Sequence, residues 1–291
     1  MEKIRSDIQI SLNGIVLRTL SELPLTLLDG TRAFRREGGK PDVLIRVRVM
    51  EQLPVFSAEP LGTDLLLNYY RDGERFYAAA RPGKSGPVTV TEYTPDFSDV
   101  TVYVNEKELP GVIRTMDKLL QLFPIRQLLT QYQAMILHAS QIRVKDRGIL
   151  FTAPSGTGKS TQARLWEQYA QAKCLCNDRT LLRRHGERYL TCGYPVDGSD
   201  PVYSSLQVEL GAAVVLRQGA ENRVERLPAS KALKYLMEQT VADAWNMEEQ
   251  WVIQNLWLDL LERCPVYMLV CRPDRGAVEC LKERLERDGV V

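Results

Sequence analysis

Residues Ala153 to Thr161 read APSGTGKST and combine two glycines, a lysine and several hydroxyls at the spacing of a phosphate-binding loop, with alanine in the first place of the pattern. Each residue type has a task in that chemistry. Gly156 and Gly158 permit a curved backbone whose N–H groups turn toward phosphate oxygens, and the helix expected to open at the loop adds the positive end of its dipole. Lys159 places an ammonium on the β and γ phosphates, and Ser160 offers a hydroxyl to Mg²⁺. Pro154, Ser155, Thr157 and Thr161 complete the cradle. The segment implies binding of ATP, or another nucleoside triphosphate, together with magnesium.

Beyond the loop, few residues offer chemistry. Asp178, in CLCNDRTLL, follows a short apolar strand and can accept the proton of an attacking hydroxyl or, with Ser160, hold Mg²⁺. Asn177 beside it is neutral and coordinates only weakly. Arg179 is a candidate catalytic cation. His138, in ILHAS, lies on a strand expected to pair with the one that enters the loop, which brings it near the loop's mouth, where it can orient a phosphate or assist proton transfer. Each has an ordinary reading too: a plain turn for Asn177-Asp178-Arg179, a surface cation for Arg179, a hydrogen-bonded structural residue for His138. His185 falls in a turn between charged residues and reads as surface.

Composition narrows the classes. Lysine plus arginine (38) nearly cancels aspartate plus glutamate (37), and no long basic block occurs, so nucleic acid is not expected as a partner. No apolar run approaches the length of a membrane helix and the first residues are too polar for a signal peptide, so the expected address is the cytoplasm. The six cysteines include no Cys-x-x-Cys pair, and most sit in apolar runs such as KCLC and YMLVC, where a thiol behaves as a small hydrophobe.

The elements that must position these residues fall into two parts. Residues 1–125 read as a smaller β-rich domain with a helical connector: strands at 43–50, 64–70, 75–80 and 88–93, a hairpin turn between Tyr70 and Arg75, then helical spacing from 112 to about 133 that Pro124 interrupts. Residues 126–291 read as the nucleotide-binding catalytic domain. There, MILHASQIRV and GILFTA form two strands around a tight KDRG turn, the second running into the loop and its helix. A hairpin follows around His185-Gly186, then a strand at AAVVL, two helices near 229–262, the strand PVYMLV and a last helix striped by Ala277, Leu281 and Leu285. Antiparallel pairs flank the loop on both sides, so the fold class is α/β with α+β character and a mixed sheet, not a doubly wound parallel one.

LHAS, LFTAPSGTGKST with RLW in the next helix, and NDR together resemble the HPr kinase-like proteins, a group sharing the nucleotide-binding fold of phosphoenolpyruvate carboxykinases. The likeness runs over roughly 134–285 and is nearest to small stand-alone bacterial members, some of which phosphorylate serine in ribosomal peptides such as lasso precursors. GYPVDGSD at 193–200 resembles a family substrate loop and keeps Gly193, Pro195 and Gly198. The resemblance implies active-site roles for His138 and Asp178, with Asp178 as base toward the acceptor hydroxyl. It departs at Asn177, where HPr kinases carry a second aspartate, and in the absence of the glycine-rich segment of the phosphorylases, so reverse phosphorolysis is not expected. The family includes oligomers, so a homo-oligomer is allowed.

Three readings stay open: a serine kinase acting on a peptide or protein, a kinase of a small hydroxy-metabolite, and a nucleotide-binding regulatory protein, which Asn177 favours.

Overall fold

The computed structural model describes residues 3–56, 58, 60–80, 86–196 and 202–291. The chain forms two compact units, one of residues 1–132 with 243–249, the other of residues 133–242 with 250–291. Both are mixed α+β structures built on a mixed sheet.

The first unit runs through β1 (Ser6–Leu12), β2 (Ile15–Ser21), α1 (Asp29–Arg32), β3 (Val43–Val49), β4 (Pro60–Thr63), β5 (Leu67–Asp72), β6 (Arg75–Ala80), β7 (Thr89–Tyr93), β8 (Val100–Val104), α2 (Met116–Gln121) and α3 (Ile125–Gln131). Among the described residues its eight strands lie in the order β1-β2-β3-β8-β7-β6-β5-β4, with β2–β3 and β3–β8 parallel and the other pairs antiparallel. Alternation decides which face is buried: on β3, Val43, Ile45 and Val47 are buried while the residues between them are partly exposed. The helical stretch expected from residue 112 begins only at Met116, because the Thr115 hydroxyl caps the helix by accepting from Lys118 N–H at 3.1 Å. Pro124 breaks it into two short helices.

The segment Asp243–Glu249 is part of this unit. Arg126 of α3 hydrogen-bonds Asp64, and its Nη2 lies 2.6 Å from Asp243 Oδ1. The Trp245 ring packs on Tyr69 with centroids 4.8 Å apart and covers Gly62 so closely that no Cβ fits there.

The second unit comprises β9 (Ala134–Val144), β10 (Arg147–Thr152), α4 (Lys159–Ala170), β11 (Lys173–Cys176), β12 (Arg179–His185), β13 (Arg188–Gly193), β14 (Val208–Gln218), β15 (Arg223–Arg226), α5 (Ala229–Gln239), β16 (Thr240–Val241), α6 (Met247–Arg263) from Gln250 onward, β17 (Val266–Cys271) and α7 (Arg275–Arg287). Among the described residues the nine-stranded sheet follows β10-β9-β12-β13-β14-β17-β15, with β11 and β16 also on β9 and β10 also on β14. Two apolar layers cover it. Leu137, Leu150, Val215 and Met268 meet Ala232 and Leu236 of α5 and Ile253 and Trp257 of α6, while Phe151, Val214 and Leu269 meet Ala163 and Trp166 of α4 and Ala277, Leu281 and Leu285 of α7. Strands so covered read as continuous apolar runs, as AAVVL and VYMLV do. Among the described residues, no helix is long and apolar enough to cross a membrane.

Candidate active site

The loop emerges from the carboxyl end of β10. β10 is parallel to β14 and β14 to β17, so three strand ends open on the loop's side of the sheet, where α/β sheets bind ligands. Gln218, the last residue of β14, reaches the loop, its Nε2 donating to the Thr157 carbonyl at 3.4 Å.

Gly156 and Gly158 have φ of 77° and 116°, and a Cβ built on either meets nothing within 4 Å. Backbone angle, not crowding, demands glycine at both. Thr157 closes the turn, its N–H and hydroxyl both donating to the Pro154 carbonyl, at 3.3 and 2.8 Å. α4 starts at Lys159 with no side-chain cap, so the first turn directs its N–H groups into the loop's curve. Pro154, Ser155 and Thr161 are exposed and Ser160 is half-buried. Lys159 is only 7% exposed, and its Nζ donates to the Ala153 carbonyl at 2.9 Å and to that of Pro154 at 3.4 Å. Burial holds the ammonium below the usual lysine range, opposed by the charge of Asp178.

Asp178 occupies the bend between β11 and β12, and β9 holds that bend. Ala139 N–H donates to the Asp178 carbonyl at 3.0 Å, and the Ser140 hydroxyl to the Asn177 carbonyl at 2.8 Å. Asn177 is buried, and its Oδ1 accepts from the Cys174 thiol at 3.1 Å. The amide therefore supports the bend from inside, and Asp178 presents the carboxylate. Cys174 is a hydrogen-bonding partner here as well as a small hydrophobe.

His138 stands where one edge of β9 changes partner. β10 pairs along residues 139–144 and ends at Thr152 opposite Ala139, while β16 takes up the same edge at Leu137 and Ile136. The glycine-rich loop leaves β10 at this gap. Arg179 of β12 faces His138 across the other edge. The His138 Nε2 lies 3.2 Å from Asp178 Oδ1, both side chains being 28% exposed, and Arg179 Nε lies 3.9 Å from Asp178 Oδ2. Burial and the Lys159 charge push the imidazole below its ordinary value, against Asp178 and a hydrogen bond with Gln239. Lys159, His138 and Asp178 thus share one electrostatic neighbourhood.

A cleft of about 290 Å³ is lined by His138, Asp178, Arg179, Glu238, Gln239, Thr240 and Val241. Sequence reasoning named the first three and missed the other four. Glu238 and Gln239 end α5, and Thr240 and Val241 form β16, a strand too short for any periodicity. Of the expected substrate loop, Gly193 and Pro195 are buried at the end of β13, and Gly198 lies outside the described residues. A Cβ on Gly193 would stand 3.0 Å from the Ser204 carbonyl, a packing reason for glycine there. His185 is exposed at the end of β12.

No curated protein matches the chain. The Hpr(Ser) kinase/phosphatase from Coxiella burnetii is a structural neighbour over 53% of this chain and 98% of its own, at 12% identity and a TM-score of 0.32, too low to carry a conclusion. The family model described as SynChlorMet cassette protein ScmC matches residues 105–273, more than half of the sequence, and the chain belongs to that family.

Proposed function

We propose that this protein is an ATP-dependent kinase that transfers the γ-phosphoryl group to a serine or similar hydroxyl of a peptide or protein. The observation that carries it is the His138–Asp178 pair at the mouth of a loop with the phosphate-cradling backbone and an inward lysine. The resemblance of LHAS, the loop and NDR to HPr kinase-like proteins supports the same reading.

In this reading the loop N–H groups and the third proton of the Lys159 ammonium bind the β and γ phosphates. Asp178 takes the proton of the acceptor hydroxyl as its O–H bond breaks. The oxygen forms a bond to the γ-phosphorus while the bridge to the β-phosphate breaks, and ADP leaves with that electron pair. His138, neutral at pH 7, keeps the Asp178 carboxylate oriented without neutralising it.

Among the described residues, no group of three His, Cys, Asp or Glu forms a metal cage. Ser160 and Asp178 suit Mg²⁺ all the same, because that ion is commonly held by one or two protein oxygens together with substrate phosphates. Bound there, it would neutralise charge on the transferring group. The regulatory reading leans on Asn177; a structural place for that neutral residue, whose buried amide oxygen accepts from the Cys174 thiol, favours the kinase reading over it.

Incubation with γ-labelled ATP, magnesium and a panel of serine peptides and small hydroxy compounds tests the proposal. Label on peptide supports it, label only on small compounds moves the acceptor class, and tight ATP binding with no transfer rejects it.

A further inference from the structure

Successive side chains of β5 alternate between the faces of its sheet. Leu67 and Tyr69 are buried on one face, which leaves Asn68 and Tyr70 on the other. On β6, Ala79 pairs with Asn68 and Tyr77 with Tyr70, so these four side chains share that second face. Phe56 lies on it, its ring 4.5 Å from that of Tyr70 and stacked 4.8 Å from that of Tyr77. The three rings fill part of the face. Opposite Asn68 the methyl of Ala79 is short, and a hollow of about 450 Å³ remains there, bounded by Leu53, Pro54 and Phe56 and completed by Asn105 and Glu108. The Asn105 amide fixes that last wall: its oxygen accepts from the N–H groups of Lys107 and Glu108 at 3.0 and 3.2 Å, and its nitrogen donates to the Glu51 carbonyl at 3.2 Å. Glu108 is the one charged residue among those described that line the hollow. Among the described residues neither its carboxylate nor the Asn68 side-chain amide has a partner, and the neighbouring Lys107 is taken up by Glu51 at 2.7 Å.

We propose that this hollow is a docking site for a peptide, which places one large apolar side chain over Ala79 and an adjacent lysine or arginine against Glu108. Its volume is that of a ligand cleft, and apolar walls with a few placed polar groups are the usual lining of one. The carboxylate selects the sign of the adjacent residue, and the Asn68 amide offers a donor and an acceptor to a peptide backbone. A peptide fits better than a compact solute because apolar surface continues past the hollow: Val55 is almost fully exposed, and Leu109, next after Glu108, is about half exposed. The site lies wholly within the first unit, and its occupancy does not rest on the kinase reading.

NMR titrations of the full chain test this with three short peptides of glycine and serine: one carrying leucine followed by lysine, one with that leucine replaced by glycine, and one with the lysine replaced by glutamate. The first should move the Ala79 methyl and Asn68 side-chain amide signals. Loss of the leucine should weaken binding about tenfold, the low end for one buried apolar side chain, and the lysine-to-glutamate change about fivefold, the upper end for an exposed ion pair. Ala79→Leu fills the hollow and should weaken the first peptide about tenfold, read at Asn68, while Glu108→Lys should remove or invert the preference for lysine over glutamate. Signals that do not move, equal affinity for the three peptides, or a lysine preference that survives Glu108→Lys overturns the proposal. N-acetyl-leucine amide bound as tightly as the first peptide overturns it in favour of a small-molecule site. Should Ala79→Leu fail to fold, Glu108→Lys decides, because that side chain is exposed and the turn uses only its backbone N–H. If the wild type phosphorylates nothing, the kinase reading falls and the titrations still decide whether the hollow takes a peptide.

Discussion

The Nε2 of His138 lies 3.2 Å from Oδ1 of Asp178, and the ammonium of Lys159 acts on both. Burial and Lys159 hold the imidazole below its ordinary 6.5, so the neutral ring is the working form at pH 7. Acidification through the His138 value puts a proton on the ring, and the new cation draws the Asp178 carboxylate into an ion pair that weakens it as a base. Activity should therefore fall on a limb centred below pH 6.5, and His138→Gln should lose that limb. A profile of kcat/KM between pH 5 and 8 checks both.

In the kinase reading, Lys159 serves the ligand more than the fold. Its side chain is buried among loop carbonyls with its charge disfavoured, so Lys159→Met should leave the melting temperature of the free protein unchanged or slightly raised. Loss of a charge-assisted contact to phosphate is worth about 1.5–3 kcal/mol, or roughly ten- to a hundredfold in affinity. Calorimetric titration with ATP and magnesium reads the affinity, and thermal shift reads the fold.

Arg126 is the reverse case. Its guanidinium lies between Asp64 and Asp243, whose side chains are 14% and 3% exposed. Arg126→Met leaves two buried carboxylates without their cation and should cost about 3 kcal/mol in urea unfolding. Adding Asp64→Asn and Asp243→Asn should recover most of the loss. A single variant as stable as wild type would show that the guanidinium does not hold the 243–249 segment.

Glu249, 3% exposed, is raised from 4.5 to about 8, first by burial and then by the charge of Asp243. Between those values the folded protein keeps a proton that the unfolded chain has released. Stability is then full below about pH 4.5 and falls as pH rises toward 8, by roughly 1.4 kcal/mol per unit at most. Glu249→Gln should flatten this part of the stability profile measured by denaturant titration from pH 5 to 8.

The turn from β10 through the glycine-rich loop into α4 was legible because its residues are contiguous: glycines, lysine and hydroxyl stand within nine residues between an apolar strand and a helix. The hairpins around Gly73 and Gly186 were legible for the same reason. The hairpin of β1 and β2 left a usable signal, since Asn13-Gly14 has φ of 50° and 82°, the pair of positive angles that a type I′ turn requires. Strand β8 went unnamed although VTVYV alternates and is rich in valine. Gln239 left no signal at all, because its place beside His138 depends on pairing between distant segments through two residues of β16. Arg126, Asp64 and Asp243 are likewise ordinary surface residue types in sequence, and only the tertiary fold buries them together.

The central claim is that Asp178 takes the acceptor proton at a loop that binds ATP. A single-turnover transfer experiment with Asp178→Asn, run beside an ATP-binding measurement on the same preparation, tests it most directly. ATP binding within a few fold of wild type, with transfer slowed at least about a hundredfold, is the expected result. Transfer at the wild-type rate would contradict the account.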